Sequence, residues 1–118
     1  MKIERCGIIL FTDNYQSCVA FYQHQVGLRV LEKLPTLTYF EFGGAYLIVE
    51  MGGISSTQEK LPSENPAVLR FDVRDVEAEA QRLRTLGVTV TVRDFVWGKI
   101  GVFQDPDWNR CELKNATA

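Results

Sequence analysis

Phe103-Gln-Asp-Pro-Asp-Trp-Asn-Arg-Cys-Glu-Leu113 reads as the end of one strand, a tight turn and a second strand. Asp105-Pro106-Asp107 supplies the turn, because proline pre-sets φ and aspartates bond nearby backbone N–H groups. Strand alternation then puts Arg110, Glu112 and Lys114 on one face, and Cys111 and Leu113 on the other. The apolar pair belongs to a core. Glu112 is therefore a carboxylate on the opposite face, to be solvated or used.

The rest of the second half adds one helix and two more strands. Ala67–Val73 is strand-like, and Asp75 caps a helix with Val76, Ala80 and Leu83 on one face and Gly87 as its stop. Val88–Arg93 and Ile100–Gln104 follow as strands, with Trp97-Gly98 in the bend between them, and Arg110–Asn115 closes the set. The first half has the same order. Ile3–Thr12 is strand-like, and Asp13 caps a helix to about Val26 with Tyr15, Cys18, Tyr22 and Val26 along one face. Gly27 stops it, and Leu28–Leu34, Leu37–Phe42 and Ala45–Met51 are strands. The caps Asp13 and Asp75 lie 62 residues apart and the stop glycines 60 apart. On the cap offset Glu50 falls on Glu112 and Cys6 on Val68, which marks an internal repeat. The expected fold is α+β: one domain, 1–118, of two βαβββ modules at about 1–52 and 67–118. Residues 53–66, with one glycine, two prolines and three serines and without periodicity, read as a linker or mobile loop.

The chain's 118 residues suffice for a core, and its net charge of −2 without a basic cluster points away from nucleic acid and membrane surfaces. No apolar run approaches bilayer length. Met1-Lys-Ile-Glu-Arg5 leads straight into a strand, so no signal peptide is expected. Three widely spaced cysteines, Cys6, Cys18 and Cys111, argue against a disulfide framework and for a reducing cytoplasm.

With a helix on one face of each sheet, the other faces are free. Gly7, Ile9 and Phe11 read as the helix-side set of the first strand, leaving Cys6, Ile8 and Leu10 on the free face. Tyr46, Ile48 and Glu50 share a face, as do Val68, Arg70 and Asp72. If the two curved sheets come together, their free faces form a mostly apolar cleft with Cys6, Glu50, Arg70 and Glu112 as its polar groups, the usual form of a small-molecule site. Cys18 and Cys111 belong to the core, and His24 to a solvated helix end.

These residues resemble the vicinal oxygen chelate superfamily, which includes glyoxalase I, bleomycin- and fosfomycin-resistance proteins and extradiol dioxygenases. The resemblance lies in the opening strand ending at Thr12-Asp13, in Phe21-Tyr22 and in Val26-Gly27-Leu28. It continues through Phe71-Asp-Val-Arg-Asp75, Leu86-Gly87-Val88 and the closing Phe103–Leu113 stretch. It implies paired βαβββ modules assembled as a homodimer, and leaves open whether modules pair within one chain or are exchanged between two. In metal-dependent members four ligands come from the first and last strand of each module, which by position are Cys6, Glu50, Val68 and Glu112. Valine cannot bind a metal. One thiolate and two carboxylates would hold zinc weakly. The resemblance also makes Trp97 a candidate pocket aromatic. Trp108 stands where the turn usually has glycine, so the left-handed position is expected to pass to Asn109.

Arg70, two residues after Val68 on the same face, could pair with Glu50 or Glu112 and take the place of a metal's charge. The preferred reading is a small-molecule binding protein similar to the metal-independent, bleomycin-resistance-like branch, with an aromatic or amphipathic ligand. Its expected ligand-binding residues are Cys6, Ile48, Glu50, Arg70, Trp97, Phe103 and Glu112, with no catalytic residue and no cofactor. With a single histidine no nucleophile–base pair can be assembled, which leans away from an enzyme. The alternative is a glyoxalase-type lyase, isomerase or dioxygenase with a degenerate divalent-metal site at Cys6, Glu50 and Glu112.

Overall fold

Residues 1–116 are described by a computed structural model, so the last two positions of the expected second module lie outside the described residues. The chain divides into two compact units, Met1–Ser55 and Ser56 onward. The first contains β1 (Gly7–Thr12), a helix α1 (Tyr15–Ala20) continued by a π-helical turn over Phe21–Val26, β2 (Val30–Lys33), β3 (Leu37–Phe42) and β4 (Ala45–Met51). The second contains β5 (Leu69–Val73), α2 (Val76–Thr85), β6 (Thr91–Phe95), β7 (Gly98–Gln104) and β8 (Arg110–Asn115). Each unit is βαβββ, and the sheet orders correspond: β1-β4-β3-β2 and β5-β8-β7-β6. Only β1–β4 and β5–β8 are parallel: each helix crosses from the first strand to the one at the far edge, and the antiparallel meander back brings the last strand in beside the first, running the same way.

The second unit's helix follows its sequence signals. Asp75 accepts a hydrogen bond from the Ala78 backbone N–H at 3.1 Å, with Glu77 and Glu79 in the first turn and Arg82 and Arg84 in the last. Those charges complement the helix dipole. At the other end Val88 N–H donates to Leu83 O and Gly87 N–H to Arg84 O, a left-handed stop in which Gly87 takes φ 88°. Val76, Ala80 and Leu83 are buried against the sheet, whose helix side carries Leu69, Phe71, Gly101, Phe103, Cys111 and Leu113. Burying side chains of the size of Leu83 and Leu113 contributes on the order of 2 kcal/mol each.

In the first unit β1 and β2 begin later than expected, at Gly7 and Val30, and the helix cap and the faces of β1 also differ. Asp13 does not cap α1; the N-cap is Asn14, and Asp13 Oδ2 instead accepts from the Ser55 hydroxyl at 2.8 Å. The faces of β1 are also reversed. Ile8, Leu10 and Thr12 pair with Leu47, Val49 and Met51, on the side where Tyr15 bonds Thr38 and Tyr22 packs near Phe40. Gly7, Ile9 and Phe11 lie on the open face beside Tyr46, Ile48 and Glu50. Both sets are apolar apart from Gly7 and Thr12, so alternation could not choose between them. Two local fits decide the register. Thr12 is fully buried because its hydroxyl donates to the Glu50 carbonyl at 2.9 Å, and a Cβ at Gly7 would collide with the Tyr46 ring.

Candidate functional site in the second unit

The open face of the second sheet is built in rows. Arg70, Glu112, Val102 and Thr91 lie side by side across β5, β8, β7 and β6. The next row is Asp72, Lys114, Ile100 and Arg93. Arg110 opposes Gln104 on the other flank. These strands line a cavity of about 610 Å³ whose walls include the charged Glu59, Arg70, Arg93, Arg110 and Glu112 and the apolar Phe95, Trp97, Ile100 and Val102.

Glu112 is the centre of the charged set. Arg70 donates from Nε and Nη2 to Oε1 at 3.0 and 2.8 Å, and Arg110 donates from Nε to Oε2 at 2.8 Å. Arg110 Nη1 reaches Glu59 Oε2 at 3.3 Å, and Gln104 Nε2 donates to Glu59 Oε1 at 2.7 Å. Burial pushes the Glu112 carboxyl up, but hydrogen bonds and charge from Arg70 and Arg110 outweigh it and hold the group below the usual carboxylate range. Burial likewise lowers Arg110, and Glu112 followed by Glu59 more than restores it, so its pKa is raised. The Glu112 side chain is only 10% exposed, which two charge-assisted contacts make tolerable.

The closing hairpin delivers this cluster. Asp105 Oδ1 accepts from the backbone N–H groups of Asp107 and Asn109, and Oδ2 accepts from Asn109 Nδ2, all at 2.9 Å. That clamp holds Trp108, not Asn109, at φ 70°. The expected shift of the left-handed position is therefore corrected: fixed bonds on both flanks outweigh a strain of about 1–2 kcal/mol. The clamp also anchors the stretch read as a linker. Lys60 N–H donates to Trp108 O at 3.0 Å, while Lys60 Nζ and Asn65 Nδ2 donate to Asn109 Oδ1 at 3.0 and 2.9 Å. Pinned in this way, the strap brings Glu59 to Arg110.

Of the expected ligand-binding residues, Arg70, Glu112 and Trp97 meet around this cavity. Phe103 does not: it is fully buried on the helix side, 6.4 Å from the Phe71 ring, because it pairs with Cys111 across the hairpin. Cys6 is an exposed residue preceding β1, and the reversal of β1 takes Ile8 and Leu10 off the open face as well. Ile48 and Glu50 lie on the open face of the first unit's sheet. Val68 precedes β5 and is exposed. Arg110 was readable as a same-face neighbour of Glu112 but not as its partner. Arg93 and Phe95 follow from alternation once β6 is moved to Thr91–Phe95. Glu59, in an aperiodic stretch, carried no signal.

The four positions implied for a metal fit one poorly. Val68 offers no donor, and both Glu112 oxygens already accept from guanidinium groups, which would repel a cation. Among the described residues no three His, Cys, Asp or Glu side chains are grouped as metal ligands.

The fold is that of several solved proteins. Lactoylglutathione lyase from Agrobacterium tumefaciens is similar with a TM-score of 0.75 at 21% identity, covering 94% of this chain and 92% of its own. The fosfomycin resistance protein FosX of Listeria monocytogenes, in a complex with Mn(II) and 1S,2S-dihydroxypropylphosphonic acid, gives 0.74 at 21% identity over 99% and 93%. TnmS3, an antibiotic-binding protein from a Streptomyces species, gives 0.72 at 23% identity over 99% of each chain. At these identities the likeness is one of fold. No curated protein sequence matches. The sequence profile of one family does, over residues 2–113, and on that match the chain belongs to the Glyoxalase/Bleomycin resistance protein/Dioxygenase superfamily.

Proposed function

We propose that the protein binds a small aromatic or amphipathic molecule on the open face of β5–β8, without a metal, in the manner of the bleomycin-resistance-like members of its family. The observation that carries the reading is Glu112. At a place where metal-dependent relatives would present a free carboxylate, both of its oxygens are occupied by Arg70 and Arg110. The neutralised cluster forms a polar wall. Ile100, Val102, Phe95 and Trp97 offer apolar surface to the body of a ligand. Phe95 and Trp97 stack with centroids 5.0 Å apart and planes 7° apart, and both remain about half exposed, a platform of the kind planar molecules use. The similarity to TnmS3 agrees with a binding role.

In this reading the protein is a cytoplasmic homodimer. Three free cysteines support the reducing location, and the exposed Ile9 and Phe11 on the first sheet supply apolar surface for a subunit contact. No helix among the described residues is long and apolar enough to cross a membrane. Three measurements test the proposal. A thermal-shift screen of planar aromatic compounds is expected to find stabilisers whose effect is lost in Trp97→Ala. Sedimentation is expected to give twice the chain mass. Metal analysis is expected to find no stoichiometric zinc, nickel, iron or manganese; a stoichiometric metal that disappears in Glu112→Ala would replace this reading with a metal-dependent lyase, isomerase or dioxygenase.

A further inference from the structure

Three guanidinium groups line the cavity, Arg70, Arg93 and Arg110, against two carboxylates, Glu59 and Glu112. The carboxylates are taken by Arg70 and Arg110. Arg93 is left over. On its own strand its same-face neighbours are Thr91 and Phe95, and across the ladder it faces Ile100. Among the described residues it has no carboxylate partner. In a chain of net charge −2 this cavity wall therefore carries one positive charge in excess.

The position of that charge matters as much as its sign. Arg93 is two residues from Phe95, whose ring is stacked on Trp97 at the tip of the β6–β7 hairpin. Mutual stacking uses one face of each ring and leaves the other face of each for a third ring. A guanidinium one strand-repeat away, at about 7 Å along the strand, lies at the distance of a substituent on such a ring.

We infer that the ligand is a planar aromatic anion, its ring lying on the Phe95–Trp97 stack and its carboxylate, phosphate or similar group paired with Arg93. This rests on the proposed binding function and narrows it to one class of ligand. Thr91, adjacent to Arg93 on the same face, adds a hydroxyl donor beside the charge. The Arg70–Glu112–Arg110 cluster acts as the fixed polar wall and need not change partners when the anion enters.

The test is a titration of the full chain, followed by tryptophan fluorescence and calorimetry, with 2-naphthoate, 2-naphthyl phosphate, neutral 2-naphthamide and 2-naphthylmethylammonium. At least one anion is expected to bind about tenfold tighter than the amide, as one charge-assisted pair provides, with the ammonium weakest. Whichever anion is tighter identifies the group recognised. In Arg93→Met the advantage of the anion should fall to about twofold or less while the amide's Kd and the melting temperature stay unchanged, and Arg93→Lys should keep part of it. Equal binding of amide and anions by the native protein overturns the inference and leaves ring binding standing. An anion preference that survives Arg93→Met overturns the role of Arg93. If none of the four probes binds, the inference and the proposed function fall together.

Discussion

Replacing Glu112 by glutamine keeps the shape of the side chain and removes the charge that Arg70 and Arg110 share. One amide NH2 then faces a guanidinium donor, so a hydrogen bond is lost; Arg70 is left without its counter-charge, and Arg110 keeps only Glu59 at 3.3 Å. Breaking a fully buried pair costs about 3–5 kcal/mol and an exposed one about 0–1. Here the carboxylate is buried, but the Arg70 and Arg110 side chains are 45% and 36% exposed, so solvent screens much of the loss. About 2 kcal/mol is expected, which in a chain of this size lowers the melting temperature by about 6–10 °C. The effect also has a pH signature. The folded pKa of Glu112 is depressed, so its contribution is complete above the unfolded carboxylate value of about 4.3 and is lost as pH falls through the lower folded value. Urea unfolding followed by circular dichroism from pH 7 downwards is the assay. The gap between native and Glu112→Gln should be constant above about pH 5, begin to narrow as pH falls through the unfolded value of about 4.3, and close only below the lower folded value. A variant as stable as the native protein at pH 7, or a gap that ignores pH, would refute the view of Glu112 as a charge clamped between two arginines.

Other substitutions probe the supports of the site. Asp105→Ala removes three acceptor contacts from the buried turn, and a loss of about 2–4 kcal/mol is expected in the same unfolding assay. Trp108→Gly relieves a left-handed backbone and should be neutral or stabilising by about 1 kcal/mol, whereas Trp108→Val, β-branched at φ 70°, should destabilise by about as much or more. Gly7→Ala should cost about 1–3 kcal/mol, and most of this should return in a Tyr46→Ala background, where the colliding ring is gone. Added chelators or Mn(II) should leave the melting temperature within about 1 °C, because a metal bound only by the folded state would shift it.

The βαβββ order, the helix-stop glycines, the Asp75 cap and the bounds of β3, β4 and β8 were legible because each rests on local chemistry or simple alternation. Arg70 was legible as the partner of Glu50 or Glu112, since alternation puts it on the open face; that it takes Glu112 follows from the pairing of β5 with β8. The faces of β1 were not, because apolar residues stand on both of its sides. What selects one side is the Tyr46 ring over Gly7 and the Thr12 hydroxyl on Glu50, contacts from a strand far along the chain. Phe103 was misplaced because an aromatic on a strand is as good a pocket wall as a core residue until its register with Cys111 is known. Trp108 kept its left-handed backbone because bonds from Asp105 and Lys60 fix the turn around it, a cooperative feature that single-residue preference misses. Glu59 reaches Arg110 only through the strap bonded to Trp108 and Asn109, and nothing in its own neighbourhood announced that.

The open face of β5–β8 is the surface on which we propose that a ligand binds. The chain's two tryptophans make this testable in one experiment, because Trp97 lines the cavity and Trp108 sits in the turn that supports it. In a 15N-labelled sample titrated with 2-naphthoate, the indole N–H signal of Trp97 is expected to move saturably while that of Trp108 stays in place. Movement of Trp108 alone, or of neither, would contradict binding on this face.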